Sequence, residues 1–182
     1  MKILILNGSP HKEGDTAALL AAFKEAFSGE VLQIDAFKAK IACCTDCRYC
    51  RTHTGCCIQD AMQPVYEAIE SCDRILIASP VWFETLTPPL MAMVSRLQPY
   101  FSARFFRGEQ PNIKPKKGGV LLVGGGSGGT EKAYDTACMI LKQMNTKEIA
   151  PLLCSPKTDR LPAKEDSKAL QAARQLAKWF CK

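Results

Sequence analysis

The chain has 182 residues, long enough to bury a hydrophobic core without disulfides or a metal to hold it together. Its 47% apolar and 23% charged residues suit one soluble globular domain over 1–182, and no apolar run approaches the length that crosses a membrane. The net charge of +6 is spread out and nowhere interleaved with aromatics, which argues against nucleic-acid binding.

Lys2–Asn7 is a short apolar run ending at turn residues. It is too short for the apolar part of a secretion signal, so it reads as a first strand in a cytoplasmic, reducing setting. Thr16–Ser28 carries apolar residues at helical spacing, and Glu30–Ile34 reads as a second strand. Met62–Ser71 predicts a helix, and Arg74–Ala78 a third strand that stops at Ser79-Pro80. Pro88–Phe101 predicts a helix opened by prolines, which the first turn tolerates. Gly119–Val123 is a fourth strand, Thr130–Met144 a helix, Glu148–Leu153 a fifth strand and Glu165–Phe180 a closing helix. Apolar strands alternating with helices predict an α/β fold, a parallel sheet covered on both faces. Between the second strand and Met62 lie about 25 residues without periodicity, and loops that long in a compact domain are usually functional.

Gly8-Ser9-Pro10-His11-Lys12-Glu13-Gly14-Asp15-Thr16 joins the first strand to a helix. A helix N-terminus at the carboxyl end of a parallel strand offers unpaired N–H groups and partial positive charge to a phosphate. The loop is neither the dinucleotide fingerprint nor the Walker pattern, which argues against NAD in a Rossmann site and against a triphosphatase. A simpler reading is that Asp15 or Thr16 only caps the helix.

Three loops in order at successive strand ends carry a resemblance: Gly8-Ser9-Pro10 through Gly14-Asp15-Thr16, Ser79-Pro80-Val81-Trp82-Phe83, and Gly124-Gly125-Gly126. Over about residues 1 to 145 the chain resembles the flavodoxin-like NAD(P)H-dependent FMN reductase family. Its cysteine segment resembles the iron–sulfur flavoprotein branch. The resemblance implies a doubly wound five-stranded parallel sheet in the order 2-1-3-4-5, with a Cys-rich insertion over 37–60. It implies that Ser9, Lys12, Gly14, Asp15 and Thr16 surround the phosphate of FMN. Pro80, Val81, Trp82 and Phe83 would then line its ribityl chain and ring, with Gly125 and Gly126 at the ring's polar edge. Where the family usually has Asn this chain has Asp15, whose carboxylate must turn away from a phosphate dianion. Where the family often shows Asp-Arg, implicated in a subunit contact, it has Ser95-Arg96. A homodimer or tetramer is implied as well.

Six of the ten cysteines (Cys43, Cys44, Cys47, Cys50, Cys56 and Cys57) fall in the insertion. Cys72, Cys138, Cys154 and Cys181 are expected to be small buried hydrophobes. Cys44-x2-Cys47-x2-Cys50-x5-Cys56 has the compact spacing that holds a [4Fe–4S] cluster, and the resemblance makes Cys56 the fourth ligand, with Cys43 and Cys57 spare. Zinc with His53 or Cys57, a disulfide between C-x-x-C partners, and a site without metal stay open. His11 and His53 are expected to be exposed loop residues without a nucleophile beside them, so hydrolysis is not supported.

The expected activity is transfer of electrons from NAD(P)H through FMN, with no catalytic side chain required and with ferredoxin, a quinone or another flavin as acceptor. Two other readings compete with it. A flavodoxin-type carrier is usually acidic, unlike this chain, and a thiol or metal sensor on an FMN fold would turn over little.

Overall fold

The computed structural model describes residues 1–126 and 129–182. In chain order the elements are β1 (Lys2–Asn7), α1 (Asp15–Ala26), β2 (Glu30–Asp35), α2 (Tyr49–Thr52), α3 (Gln63–Ser71), β3 (Arg74–Pro80), α4 (Pro88–Ser95), α5 (Gln98–Phe106), β4 (Lys116–Gly124), α6 (Glu131–Gln143), β5 (Thr146–Ile149), β6 (Leu153–Pro156) and α7 (Ser167–Phe180). All strand pairs are parallel, in the order β2-β1-β3-β4-β5, with β6 also paired to β4. This is the expected doubly wound sheet, with its last position shared by two short strands instead of one. The expected strand over 148–153 divides around Pro151, which has no N–H to give to a ladder. The helix expected over 88–101 divides as well: α4 ends at Ser95, and α5 starts afresh with Pro99 in its first turn.

Successive side chains of a strand point to opposite faces, and β1 feeds both. Ile3 and Ile5 pack with Leu19, Phe23, Leu176 and Phe180 under α1 and α7. Leu4 and Leu6 pack with Met62, Ile69, Leu90, Leu97 and Leu141 under α3 to α6. Burying both faces explains why β1, β3 and β4 read as unbroken apolar runs. Among the described residues no helix is long and apolar enough to cross a membrane.

Cys72 is buried as expected, and Cys138 and Cys154 are half-buried. Cys181 departs from the expectation. It lies just past α7, is exposed, and its sulfur accepts the Ser28 N–H, because the apolar face of α7 ends with Phe180.

Candidate functional site

The carboxyl ends of β1, β3 and β4 are bound to one another by buried groups. Gly8 N–H donates to the Ala78 carbonyl at 2.7 Å, and the Thr87 hydroxyl donates to the Gly8 carbonyl at 2.8 Å. The Ser79 hydroxyl donates to the Pro80 carbonyl and accepts the Thr87 N–H. Val81 N–H donates to the Val123 carbonyl, carrying the β3–β4 pairing one residue further. At Gly8 a Cβ would stand 2.7 Å from the Thr87 hydroxyl and 2.9 Å from that of Ser79, so glycine is required there by close approach.

Above this floor the first turn of α1 is open at its N-terminus, because Gly14 supplies no side-chain cap. Among the described residues no side chain caps the first-turn N–H groups, and the positive end of the helix dipole lies there, an arrangement that suits a phosphate. The Ser9 hydroxyl lies in the same loop, where it accepts the His11 N–H. Thr16 is buried in the first turn, and Lys12 is exposed beside it. The Asp15 carboxylate accepts the Ala163 N–H at 2.6 Å, reaching across to the segment that follows β6.

The loop after β3 forms a tight turn in which Trp82 and Thr85 exchange backbone hydrogen bonds at 3.0 Å. Phe83 and Glu84, the two central residues, have φ of 51° and 60°. Such positions favour Gly or Asn, so this turn is strained. Glu84 pairs with Lys132 of α6. Trp82 is part-exposed and meets Phe37 edge-on, with ring centroids 6.0 Å apart. Phe83 stands at the tip, wholly exposed, while Pro80 and Val81 are half-buried behind it. At the end of β4 and just past it, a Cβ on Gly124 or Gly126 would meet nothing among the described residues. Gly125 lies against the Asp159 carboxylate.

The sequence gives no warning of that last neighbour. Residues 157–163 complete the rim from the far end of the chain, through the Asp159 contact, the Ala163 N–H and a Thr158 N–H that donates to the Gly124 carbonyl. Two of these links use backbone groups, which leave no residue signature to search for. Beside the loop after β1 a cleft of about 320 Å³ opens between α1 and β2, lined by Lys12, Asp35, Phe37 and Lys38 among others. Burial pushes the Asp35 carboxyl up, but Lys38, Asn7 and Gln33 outweigh it and hold it at about 2.

A separate cavity of about 90 Å³ lies under the insertion. Cys44, Cys47, Cys50 and Cys56 all line it, and so does Cys57, expected to be spare; Cys43 does not. The Cys47 and Cys57 sulfurs stand 3.3 Å apart. The Tyr49 N–H, and after it Cys57, draw the Cys47 thiol below its usual range, while Cys47 pushes Cys57 up. Cys44 sulfur accepts the Asp46 N–H, and Cys50 sulfur is 3.3 Å from the Ser102 hydroxyl. Among the described residues no three such side chains converge on a point where one metal ion would sit. Thiols spaced around a cavity suit a multinuclear cluster, which takes one thiolate at each corner. His53 is exposed and stacks on Tyr49.

The insertion is anchored from the end of α4 by Ser95 and Arg96. The Ser95 hydroxyl accepts the Cys44 N–H at 2.9 Å. Arg96, only 1% exposed, donates from Nη1 to the Ala42 carbonyl and to Asp60 Oδ2, and from Nη2 to the Ile58 carbonyl. Its own carbonyl accepts the Tyr66 hydroxyl at 2.6 Å. Burial pulls Arg96 down, but Asp60, Tyr66 and Cys56 outweigh it and hold the guanidinium firmly charged. Its Nε is buried without a hydrogen-bond partner among the described residues, an omission that costs about 1–3 kcal/mol.

The profile of the NADPH-dependent FMN reductase family matches residues 1–154. An iron–sulfur flavoprotein from Archaeoglobus fulgidus is 29% identical over 179 residues, covering 97% of this chain and 77% of that protein. An iron–sulfur flavoprotein from Methanosarcina thermophila is 27% identical over 188 residues, covering 100% of this chain and 94% of that one. Among solved structures, an NAD(P)H:quinone oxidoreductase from Methanothermobacter marburgensis superimposes with a TM-score of 0.76 at 20% identity, covering 100% of this chain and 98% of its own.

Proposed function

The chain belongs to the NADPH-dependent FMN reductase family, and from that premise we propose that FMN is held by the loops after β1, β3 and β4 and that electrons from NAD(P)H leave for a quinone, a flavin or a protein acceptor such as ferredoxin. The observation that carries this reading is the uncapped N-terminus of α1 standing over three strand ends locked together by Gly8, Ser79 and Thr87. When bound, FMN supplies two-electron oxidation of the nicotinamide and release of those electrons singly or in pairs.

The residues divide the work of binding. Ser9 and the first-turn N–H groups of Asp15 and Thr16 receive the phosphate, Gly14 leaves room for it, and Lys12 adds a positive charge. Pro80, Val81 and Trp82 wall the ring, and Phe83 closes over it from the turn tip. Gly126, open on its Cβ side, and Gly125, backed by the Asp159 carboxylate, meet the ring's polar edge. The oxidoreductase needs no side-chain acid or base for this chemistry.

Cys44, Cys47, Cys50 and Cys56 are the proposed ligands of a [4Fe–4S] cluster, which supplies one-electron transfer to a partner. Their placement around one cavity supports this second part. A homodimer or tetramer in the cytoplasm is the expected form.

The test is anaerobic purification followed by absorbance, flavin, iron and sulfide assays, and then turnover of NADH and of NADPH with a quinone and no partner protein. One FMN and about four irons per chain with turnover support both parts. Flavin with turnover but no iron leaves the reductase and removes the cluster. Flavin without turnover favours a carrier or a sensor, and failure to retain or rebind FMN overturns the reading.

A further inference from the structure

Arg96 does two things that ordinary anchoring does not explain together. Ala42 and Ile58 lie immediately outside the cysteine segment, one at each end, and a single guanidinium holds both of their carbonyls. Asp60 completes the neck: its Oδ2 accepts from both Arg96 and the Ala42 N–H, and its Oδ1 accepts the Met62 N–H. Six cysteines are thus closed into one loop by one buried side chain. A neck needs only the two terminal nitrogens of Arg96, and those are the ones it uses. Nε is left over, buried and unpaired among the described residues, on a side chain that also lines the cysteine cavity with Cys56 beside its guanidinium.

We propose that Arg96 is a positioning residue of the cysteine site, closing the neck of the segment with its terminal nitrogens and reserving Nε–H as a hydrogen-bond donor to the sulfur that Cys56 presents to the cluster. This rests on reading Cys44, Cys47, Cys50 and Cys56 as ligands of an iron–sulfur cluster. Groups that orient metal ligands by hydrogen bonds affect retention of the metal about 10–100-fold when removed. Hydrogen bonds to the sulfurs of a cluster also stabilise its reduced, more negative state and raise its reduction potential. Lysine at position 96 keeps the positive charge but lacks the planar fork, so it cannot hold both carbonyls and donate from a third nitrogen.

The test compares wild type with Arg96→Lys and Arg96→Gln, each purified anaerobically. Two quantities are read besides activity: the rate of iron loss to a chelator, and the reduction potential of the cluster followed by electron paramagnetic resonance. FMN content serves as the check on folding. The expected result is iron loss about tenfold faster or more in both variants, with a lower potential, at unchanged FMN content. Asp60→Asn, which leaves the guanidinium in place and weakens only the neck, should speed iron loss by a smaller factor, and it decides the matter if the Arg96 variants fail to fold. Wild-type rates and potential in the folded variants overturn the inference while leaving the cluster reading intact. A wild-type protein that takes up no iron removes the cluster reading and this inference with it.

Discussion

At the carboxyl ends of β1, β3 and β4 the loops proposed to hold FMN are fixed by the sheet and by the buried hydroxyls of Ser79 and Thr87. Between β2 and α3 regular structure shrinks to the four residues of α2, and side chains from other elements set the conformation. Ser95 and Arg96 reach in from α4, Ser102 from α5, and Arg107 donates to the Cys50 carbonyl. A surface drawn from strand ends inherits the rigidity of the core. An irregular segment has to be given its shape one side chain at a time, so a single substitution weighs more there.

The largest expected effect separates the two regions. On the proposed cluster reading, Cys50→Ser should take iron from about four per chain to near zero while FMN content stays at its wild-type level, as measured by metal and flavin assays on one sample. Loss of both would mean that the regions fold as one unit. Next, Gly8→Ala should cost about 1–3 kcal/mol by overpacking against Thr87, Leu90 and Ser79. Thermal unfolding should register this as a fall of roughly 2–4 °C per kcal/mol, together with weaker FMN binding, and iron content should not move.

Phe83→Gly tests the strained turn. A left-handed conformation costs an L-residue about 1–2 kcal/mol, and exposed Phe83 recovers none of that by burial, so the variant should gain about 1 kcal/mol in thermal unfolding. A more stable protein with slower NAD(P)H turnover would show that the turn is held strained for the sake of the ring. The smallest effect belongs to Asp35. Its folded pKa is depressed, so its contribution is present above the unfolded value near 3.8 and is lost as pH falls toward about 2. Asp35→Asn should therefore be less stable than wild type near neutrality, by under about 1 kcal/mol for a pair this exposed, and should match it at pH 2.

The sheet was legible because β1, β3 and β4 are buried on both faces and end at turn residues. The two elements that divided did so near Pro151 and Pro99, where missing N–H groups break a pattern that hydrophobicity alone continues, and β4 begins at Lys116, three residues before the apolar run. The three loops proposed to hold FMN lie at the strand ends where their order along the chain puts them, and the closely spaced cysteines line one cavity. What holds the cysteines could not be read. Arg96 and Asp60 stand 36 residues apart, and each looks like an ordinary charged residue on a solvated face until the fold brings them together. The same holds for Asp159 beside Gly125, a contact between segments that share no pattern.

The bond from the Ala163 N–H to Asp15 spans 148 residues. A single carboxylate thus clasps the first turn of α1 to the segment that follows β6, and the orientation of an early residue is set by a late one.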